Sequence, residues 1–230
     1  VDQGADVLDI GLVDSPGLAF ATAYLRRPGI MITASHNPKE DNGFYLSLEN
    51  GDTISKQNGL ESIEKIMKNS QSQYNVPKKG RVLNTSISRA YQKHVLSFIN
   101  PNNIEQLKVV IDSGNGMGSW IASPIYKFLS QIKTTPMYFE LNGKFPNHGP
   151  NPSKSENLSQ LAKKVIETHS NLGIAFDGDA DRAAFVDEQG NIVEGSLIGC
   201  LLAKHFLEKH PGEKIVHSST CSKILAETIK

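Results

Sequence analysis

Short apolar runs of strand length alternate with helix-patterned segments along most of this chain. Runs at residues 7–13, 29–33, 107–112, 136–141, 172–176 and 183–186 are rich in Val, Ile, Leu and Phe. Between them apolar residues recur at helical spacing, as in Leu60, Ile63, Ile66 and Met67, or Leu158, Leu161, Val165 and Ile166. A helix between two strands returns the chain to the starting edge, so successive strands run parallel. The pattern predicts an α/β fold of successive domains with mixed, mostly parallel sheets.

Local signals divide it further. Ser15-Pro16 caps a helix running to about Arg26, with Pro at the first helical position. Residues 44–48 and 52–54 pair as a hairpin around Asn50-Gly51. Residues 60–68 and 88–99 are helices, and 70–84 form a polar loop. Asn100-Pro101-Asn102-Asn103 is a break, taken as a boundary between a unit at 1–104 and a second at 105–211. The second holds helices at 119–129, 156–168 and 197–207, with a short strand at 192–193. Residues 212–230 open a third unit with a strand at 214–217 and a helix at 222–229. The chain starts without Met at a strand edge and stops inside a helical pattern, the expectation for a piece of a longer protein.

Charge narrows the partners. Lys plus Arg equals Asp plus Glu at 24 each, so the basic excess of a nucleic-acid or anionic-membrane binder is missing. Lys78-Lys79-Gly80-Arg81 is too short to change that and reads as a solvated loop. No apolar run reaches membrane-spanning length and no signal peptide is visible. Cys200 and Cys221 imply neither a disulfide framework nor a metal spacing, which makes a reducing cytoplasm the expected compartment. Nothing in the sequence sets an oligomeric state.

Two stretches carry chemistry. In Gly29-Ile30-Met31-Ile32-Thr33-Ala34-Ser35-His36-Asn37-Pro38 a strand ends in a tight turn that presents Ser35 and His36. Ser35 could be a helix cap, a satisfied turn hydroxyl or a nucleophile. His36 as its base is disfavoured, because adjacent side chains in extended chain point apart. In Asp177-Gly178-Asp179-Ala180-Asp181-Arg182, three carboxylates at alternate positions converge only if the backbone curls, which Gly178 eases. Three hard oxygens suit a hard cation such as Mg²⁺, and the alternative is a solvated acidic turn. An EF-hand reading of Asp177, Asp179, Asp181 and Glu188 fails, because Arg182 takes the place of the required glycine and the flanks read as strands. Ser113-Gly114-Asn115-Gly116-Met117-Gly118 lacks the Gly-Lys-Ser/Thr of a P-loop and reads as a tight strand-to-helix turn.

The ten residues Gly29 to Pro38 resemble, position by position, the active-serine signature of the α-D-phosphohexomutase family, which includes phosphomannomutase and phosphoglucomutase. Asp177 to Arg182 resembles the same family's metal loop, and Ser113 to Gly118 the opening of its second domain. The resemblance covers nearly the whole chain as the middle of a longer member. It implies a phosphoserine at Ser35, Mg²⁺ held by Asp177, Asp179, Asp181 and the phosphoryl group on Ser35, and Arg182 facing that group or the substrate. It implies a supporting or phosphoryl-contacting role for His36 and a site in the cleft between the two units. The implied reaction interconverts hexose 6-phosphate and hexose 1-phosphate through a 1,6-bisphosphate, with a phosphorylated hexose as partner. Phe145-Pro146-Asn147 and Pro150-Asn151-Pro152 resemble the mannose/glucose members more than the glucosamine ones. One position departs: the family's Asn-Gly-hydrophobic-Lys reads Asn42-Gly43-Phe44-Tyr45 here, and a phenol carries no positive charge at pH 7. Lys39 is a candidate substitute. The departure motivates a second reading, a non-catalytic fragment or paralogue that binds Mg²⁺ and phosphosugar. A third, an Asp177-nucleophile phosphatase, leaves the serine string unexplained.

Overall fold

The computed structural model describes residues 1–69 and 76–230. Its centre is a five-stranded sheet in the order β6-β5-β7-β8-β9. Here β5 is Leu107–Asp112, β6 Ile132–Met137, β7 Leu172–Phe176, β8 Ala183–Asp187 and β9 Ile192–Val193. β5 pairs parallel with both β6 and β7, and β8 and β9 extend the sheet antiparallel. As the middle strand of the parallel trio, β5 is buried from Val109 to Asp112, which is why its sequence is a continuous apolar run.

Helices cover both faces. Val110, Ala175 and Val186 pack on Leu158, Leu161 and Val165 of α5 (Ser155–Thr168). Gly173 permits that approach: a Cβ there would stand 2.8 Å from Val165 and 3.0 Å from Leu161. On the other face Val109 and Ile111 meet Ala122 of α4 (Gly118–Lys127). The far side of α4 packs on the first part of the chain. There Trp120 and Ile121 join Val13, Leu18, Ala21, Ile87 and Tyr91, with Tyr91 and Trp120 stacked at 6.2 Å. One helix therefore buries apolar surface in two directions and couples the serine-bearing part of the chain to the sheet.

The first part holds α1 (Ser15–Leu25), α2 (Glu61–Asn69) and α3 (Ser88–Leu96). Its strands form two separate pairs: β1 (Val7–Asp9) parallel to β4 (Val82–Asn84), and β2 (Gly29–Ile32) antiparallel to β3 (Phe44–Ser47). Several expectations are corrected here. The strand expected at 7–13 is three residues long and exposed, because the Asp9 carboxylate accepts the Gly11 N–H and turns the chain away. Asp14, not Ser15, caps α1: its Oδ1 accepts the Gly17 N–H at 3.0 Å. Buried Asp14 also accepts the Tyr91 hydroxyl at 3.0 Å, and burial pushes its carboxyl up to about 6. The hairpin expected at 44–54 does form, as a short one on the edge of β3 opposite β2: Ser47 bridges Thr53, Leu48 N–H donates to the Asp52 carbonyl at 2.7 Å and Ile54 N–H to the Leu46 carbonyl at 2.9 Å. Within the expected loop 70–84, residues 82–84 form β4, and residues 70–75 lie outside the described residues.

β6 runs 132–137 rather than 136–141, since Ile132 to Thr135 supply β-branched residues and Tyr138, at φ 52°, ends the strand. Pro136 is tolerated there because β6 is an edge strand. No strand forms at 214–217, where Val216 is 95% exposed. A run without a neighbour leaves its backbone groups to water. Instead α6 (Gly195–Lys209) packs on α7 (Lys223–Ile229), with Leu225 against Gly199. Among the described residues no helix is long and apolar enough to cross a membrane.

The breaker-rich segment after β6 is pinned across the C-terminal end of β5. His148 Nε2 lies 2.9 Å from Asp112 Oδ2, and Asn147 donates to Asn115 at 2.8 Å. Burial works to lower the His148 pKa, but the Asp112 carboxylate and the Gly149 carbonyl outweigh it, so the value is raised. A raised folded-state value means that the His148–Asp112 pair stabilises fully below the unfolded histidine's pKa. That stability is lost as pH rises through the folded one. His148→Gln is therefore expected to destabilise by about 1–2 kcal/mol near pH 6 and by less near pH 8.5, measured by urea unfolding at both.

Candidate active site

The serine loop follows β2. Thr33 Oγ1 accepts the Ser35 N–H at 2.8 Å, and Asn37 N–H returns to the Ala34 carbonyl at 3.0 Å. The chain reverses at once, with Ser35 at φ 52°. That conformation is uncommon for a residue bearing Cβ and marks a functional constraint when it recurs beside chemistry. It also changes the geometry expected for His36. Because the turn is left-handed rather than extended, His36 Nδ1 lies 3.2 Å from Ser35 Oγ.

The acidic loop follows β7 and curls back on itself, with Ala180 at φ 57°. Asp177 is fully buried and its oxygens are engaged. Oδ1 accepts the N–H groups of Asp181 and Arg182, both at 3.0 Å, and Oδ2 accepts Arg182 Nε at 2.9 Å. Asp177, Asp179 and Asp181 each offer an oxygen, and the three lie within 4.8 Å of one another. Burial, with the charges of Asp181 and Asp179 adding to it, pushes the Asp177 carboxyl up to about 7.

The two loops touch. A Cβ on Gly178 would fall 2.4 Å from the Ser35 carbonyl oxygen, so only glycine allows this approach. Arg182 ties them together: Nη2 donates to Ser35 Oγ at 2.8 Å and to His36 Nδ1, while Nε holds Asp177 and reaches Asp181 at 3.3 Å. The acidic loop is anchored from below as well, since Met117 N–H donates to the Gly178 carbonyl at 3.0 Å and Ser15 N–H to the Asp179 carbonyl at 2.9 Å. The Ser113–Gly118 turn is thus a support for the acidic loop, and Gly116 leaves it room: a Cβ there would meet the Gly178 carbonyl at 2.6 Å. A cavity of about 450 Å³ opens at the junction, lined by Thr33, Ser35, Lys39, Asn42, Met117 and Asp179 among others.

The carboxylates fit a metal ion. Asp179 Oδ1 is buried and has no hydrogen-bond partner among the described residues. Buried carboxylate oxygens are rarely left so, and a cation satisfies both the lone pairs and the mutual repulsion. An all-oxygen donor set favours the hard divalent ions.

Ser35, His36, Arg182 and the three aspartates, far apart in the chain, are therefore brought together. Tyr45 is turned elsewhere. It pairs across the ladder with Met31, packs on the cluster around Leu18 and Tyr91, and hydrogen-bonds Thr53 Oγ1 at 2.7 Å. Lys39 lines the cavity beside Glu40 at 3.8 Å. Sequence reasoning missed Ser15 and Thr33, whose hydroxyls both donate to Asp179 Oδ2, at 2.6 and 3.1 Å. Ser15 read as a helix cap, and Thr33 lay inside the serine motif without a signal of its own.

Residues 1–74 match the family model described as phosphoglucomutase/phosphomannomutase, alpha/beta/alpha domain I, and residues 89–190 match the model for domain II. The chain belongs to the α-D-phosphohexomutase family. Among curated members, the phosphomannomutase of Salmonella montevideo is 39% identical over 222 residues, covering 94% of this chain and 49% of that one. The phosphomannomutase/phosphoglucomutase of Pseudomonas putida is 36% identical, covering 100% and 48%. A phosphohexomutase-family crystal structure from Burkholderia thailandensis superposes with a TM-score of 0.83 at 27% identity, over 99% of this chain and 50% of that one. The chain spans about half the length of the curated family members it matches. N-acetylphosphoglucosamine mutase of Aspergillus fumigatus, solved in complex with GlcNAc-6P and magnesium, shares the fold at a TM-score of 0.53 and 15% identity.

Proposed function

We propose that this chain carries the phosphoryl-transfer centre of an enzyme that interconverts hexose 6-phosphate and hexose 1-phosphate, with mannose or glucose as the sugar. The observation that carries the reading is the Arg182 guanidinium, which contacts Ser35 Oγ and the Asp177 carboxylate at once. Ser35 is the phosphoryl carrier. Asp177, Asp179 and Asp181, with an oxygen of the phosphorylated Ser35, would hold Mg²⁺. When bound, that ion supplies charge neutralisation at the phosphoryl oxygens.

The protein's own groups do the rest. Arg182 donates to the phosphoryl oxygens as the bond from phosphorus to Ser35 Oγ breaks and the bond to the sugar oxygen forms, the sugar hydroxyl's proton ending on the released Ser35 Oγ. It thereby stabilises charge where it accumulates. The left-handed turn at Ser35 and the close approach of Gly178 keep that oxygen against the guanidinium. His36, hydrogen-bonded within the same cluster, fixes the serine side chain. The second phosphate of the bisphosphate then returns to Ser35, which restores the starting state. The names of the curated relatives support mannose and glucose as the sugars.

An Asp177 nucleophile is disfavoured, since it would leave the contact of the Arg182 guanidinium with Ser35 Oγ without a role. The position of Tyr45, facing the core and not supplying a cation, favours keeping the second reading, binding without turnover, as an outcome of the test. Intact-mass and peptide mass spectrometry of the full-length protein should find phosphate on Ser35. A coupled assay with mannose 1-phosphate and glucose 1-phosphate should show turnover by the full-length protein and none by the 230-residue chain alone. Active full-length enzyme with Ser35 never phosphorylated ends the proposal. Phosphosugar binding without turnover selects the second reading.

A further inference from the structure

Asp179 is held asymmetrically. Its Oδ2 accepts two hydroxyl protons, from Ser15 Oγ at 2.6 Å and Thr33 Oγ1 at 3.1 Å. Its Oδ1, which is buried, accepts none among the described residues. An aspartate left to itself interchanges its oxygens by rotation about a soft, two-fold torsion. Two donors on one oxygen remove that freedom and aim the other.

The donors come from separate elements. Ser15 is the first residue of α1, and its backbone N–H also donates to the Asp179 carbonyl at 2.9 Å. Thr33 stands just past β2, and its hydroxyl has a second role, since the oxygen that donates to Asp179 accepts the Ser35 N–H at 2.8 Å. A single hydroxyl therefore links the backbone of the serine to a carboxylate of the acidic loop. Any displacement of one strains the hydrogen bond to the other.

We propose that Ser15 and Thr33 are positioning residues for a divalent cation: they lock Asp179 with Oδ1 presented to the ion, and Thr33 sets the distance between that ion and Ser35. This rests on the reading of the three aspartates as a cation site. Groups that orient a metal ligand through its distal atom typically change metal affinity about 10- to 100-fold when removed.

The test is Mg²⁺ titration calorimetry on full-length, dephosphorylated protein, with thermal melts in EDTA as the folding control. Thr33→Val keeps the shape and loses the hydroxyl, and Thr33→Ser keeps the hydroxyl and loses a methyl. Ser15→Ala removes the second donor independently. Thr33→Val and Ser15→Ala are each expected to weaken Mg²⁺ binding about tenfold or more, with Thr33→Ser within about twofold of the parent. Their melts in EDTA should stay cooperative and fall by no more than the loss of buried hydrogen bonds accounts for, and turnover by Thr33→Val should recover partly at saturating Mg²⁺. Parent-like affinity in both Thr33→Val and Ser15→Ala overturns the proposal, as does an affinity loss that only follows a loss of melting temperature. Asp179→Asn separates the two layers. If it binds Mg²⁺ as the parent does, the cation site itself is wrong. If it loses binding while the hydroxyl variants do not, only the positioning role is wrong.

Discussion

Arg182→Lys in the full-length protein is expected to lower kcat by about 10²- to 10³-fold, the range for removing one well-placed donor from developing charge. The guanidinium contacts four groups with its fork: Ser35 Oγ, His36 Nδ1, Asp177 Oδ2 and Asp181 Oδ1. A lysine ammonium is one point of charge on a flexible stem, so it can hold Asp177 or reach Ser35 but not both. The protein should stay folded, because Asp177 keeps its two backbone donors. Arg182→Met should cost more in stability, since a fully buried carboxylate then loses its neighbouring cation. A melt of each variant beside the coupled assay separates the effects. Parent-like kcat in Arg182→Lys would remove the guanidinium from the mechanism.

Gly178→Ala tests geometry alone, because it adds one methyl group and no charge. That methyl would sit 2.4 Å from the Ser35 carbonyl oxygen and 3.3 Å from Pro150 Cβ. Both obstacles belong to backbone or a rigid ring, so a loop must move. The adjoining carbonyl is tied down by Met117 N–H and the next residue's by Ser15 N–H. The serine loop is thus the element expected to yield. A displacement of about 1 Å at a reacting centre is worth roughly 10²-fold in rate. The expected result is a loss of turnover of that order, with a stability loss of about 1–3 kcal/mol from the forced contact. Unchanged kcat would mean that the two loops do not need to touch for chemistry.

Both experiments concern contacts that neither loop announces by itself, and that is where reading along the chain stopped. The alternation of strands and helices, the tight turn after β2 and the curled acidic loop were legible, because each depends on residues within one element or one turn. Leu107–Asp112 and Leu172–Phe176 were read with their true ends because continuous apolar runs flanked by turns leave few alternatives. The segments misread were those whose state depends on a distant partner. Residues 214–217 have strand composition but find no ladder, and residues 82–84 pair with β1 despite lying in a polar stretch. Ser15 read as a cap because Ser-Pro is a common helix opening, yet Asp14 caps the helix and the Ser15 hydroxyl goes to Asp179.

The sequence by itself determined the chemical inventory: a serine on a strand-end turn, three carboxylates on one glycine-eased loop, and an arginine behind them. Tertiary structure alone decided that these form one site. Hydrogen bonds and steric contacts act over a few ångströms, and the two loops come within that range because α4 packs on the sheet with one face and on Tyr91 with the other. The same packing leaves one oxygen of Asp179 without a proton donor among the described residues. No spacing of residues along the chain encodes that arrangement, because the two hydroxyls that hold the other oxygen arrive from two other elements.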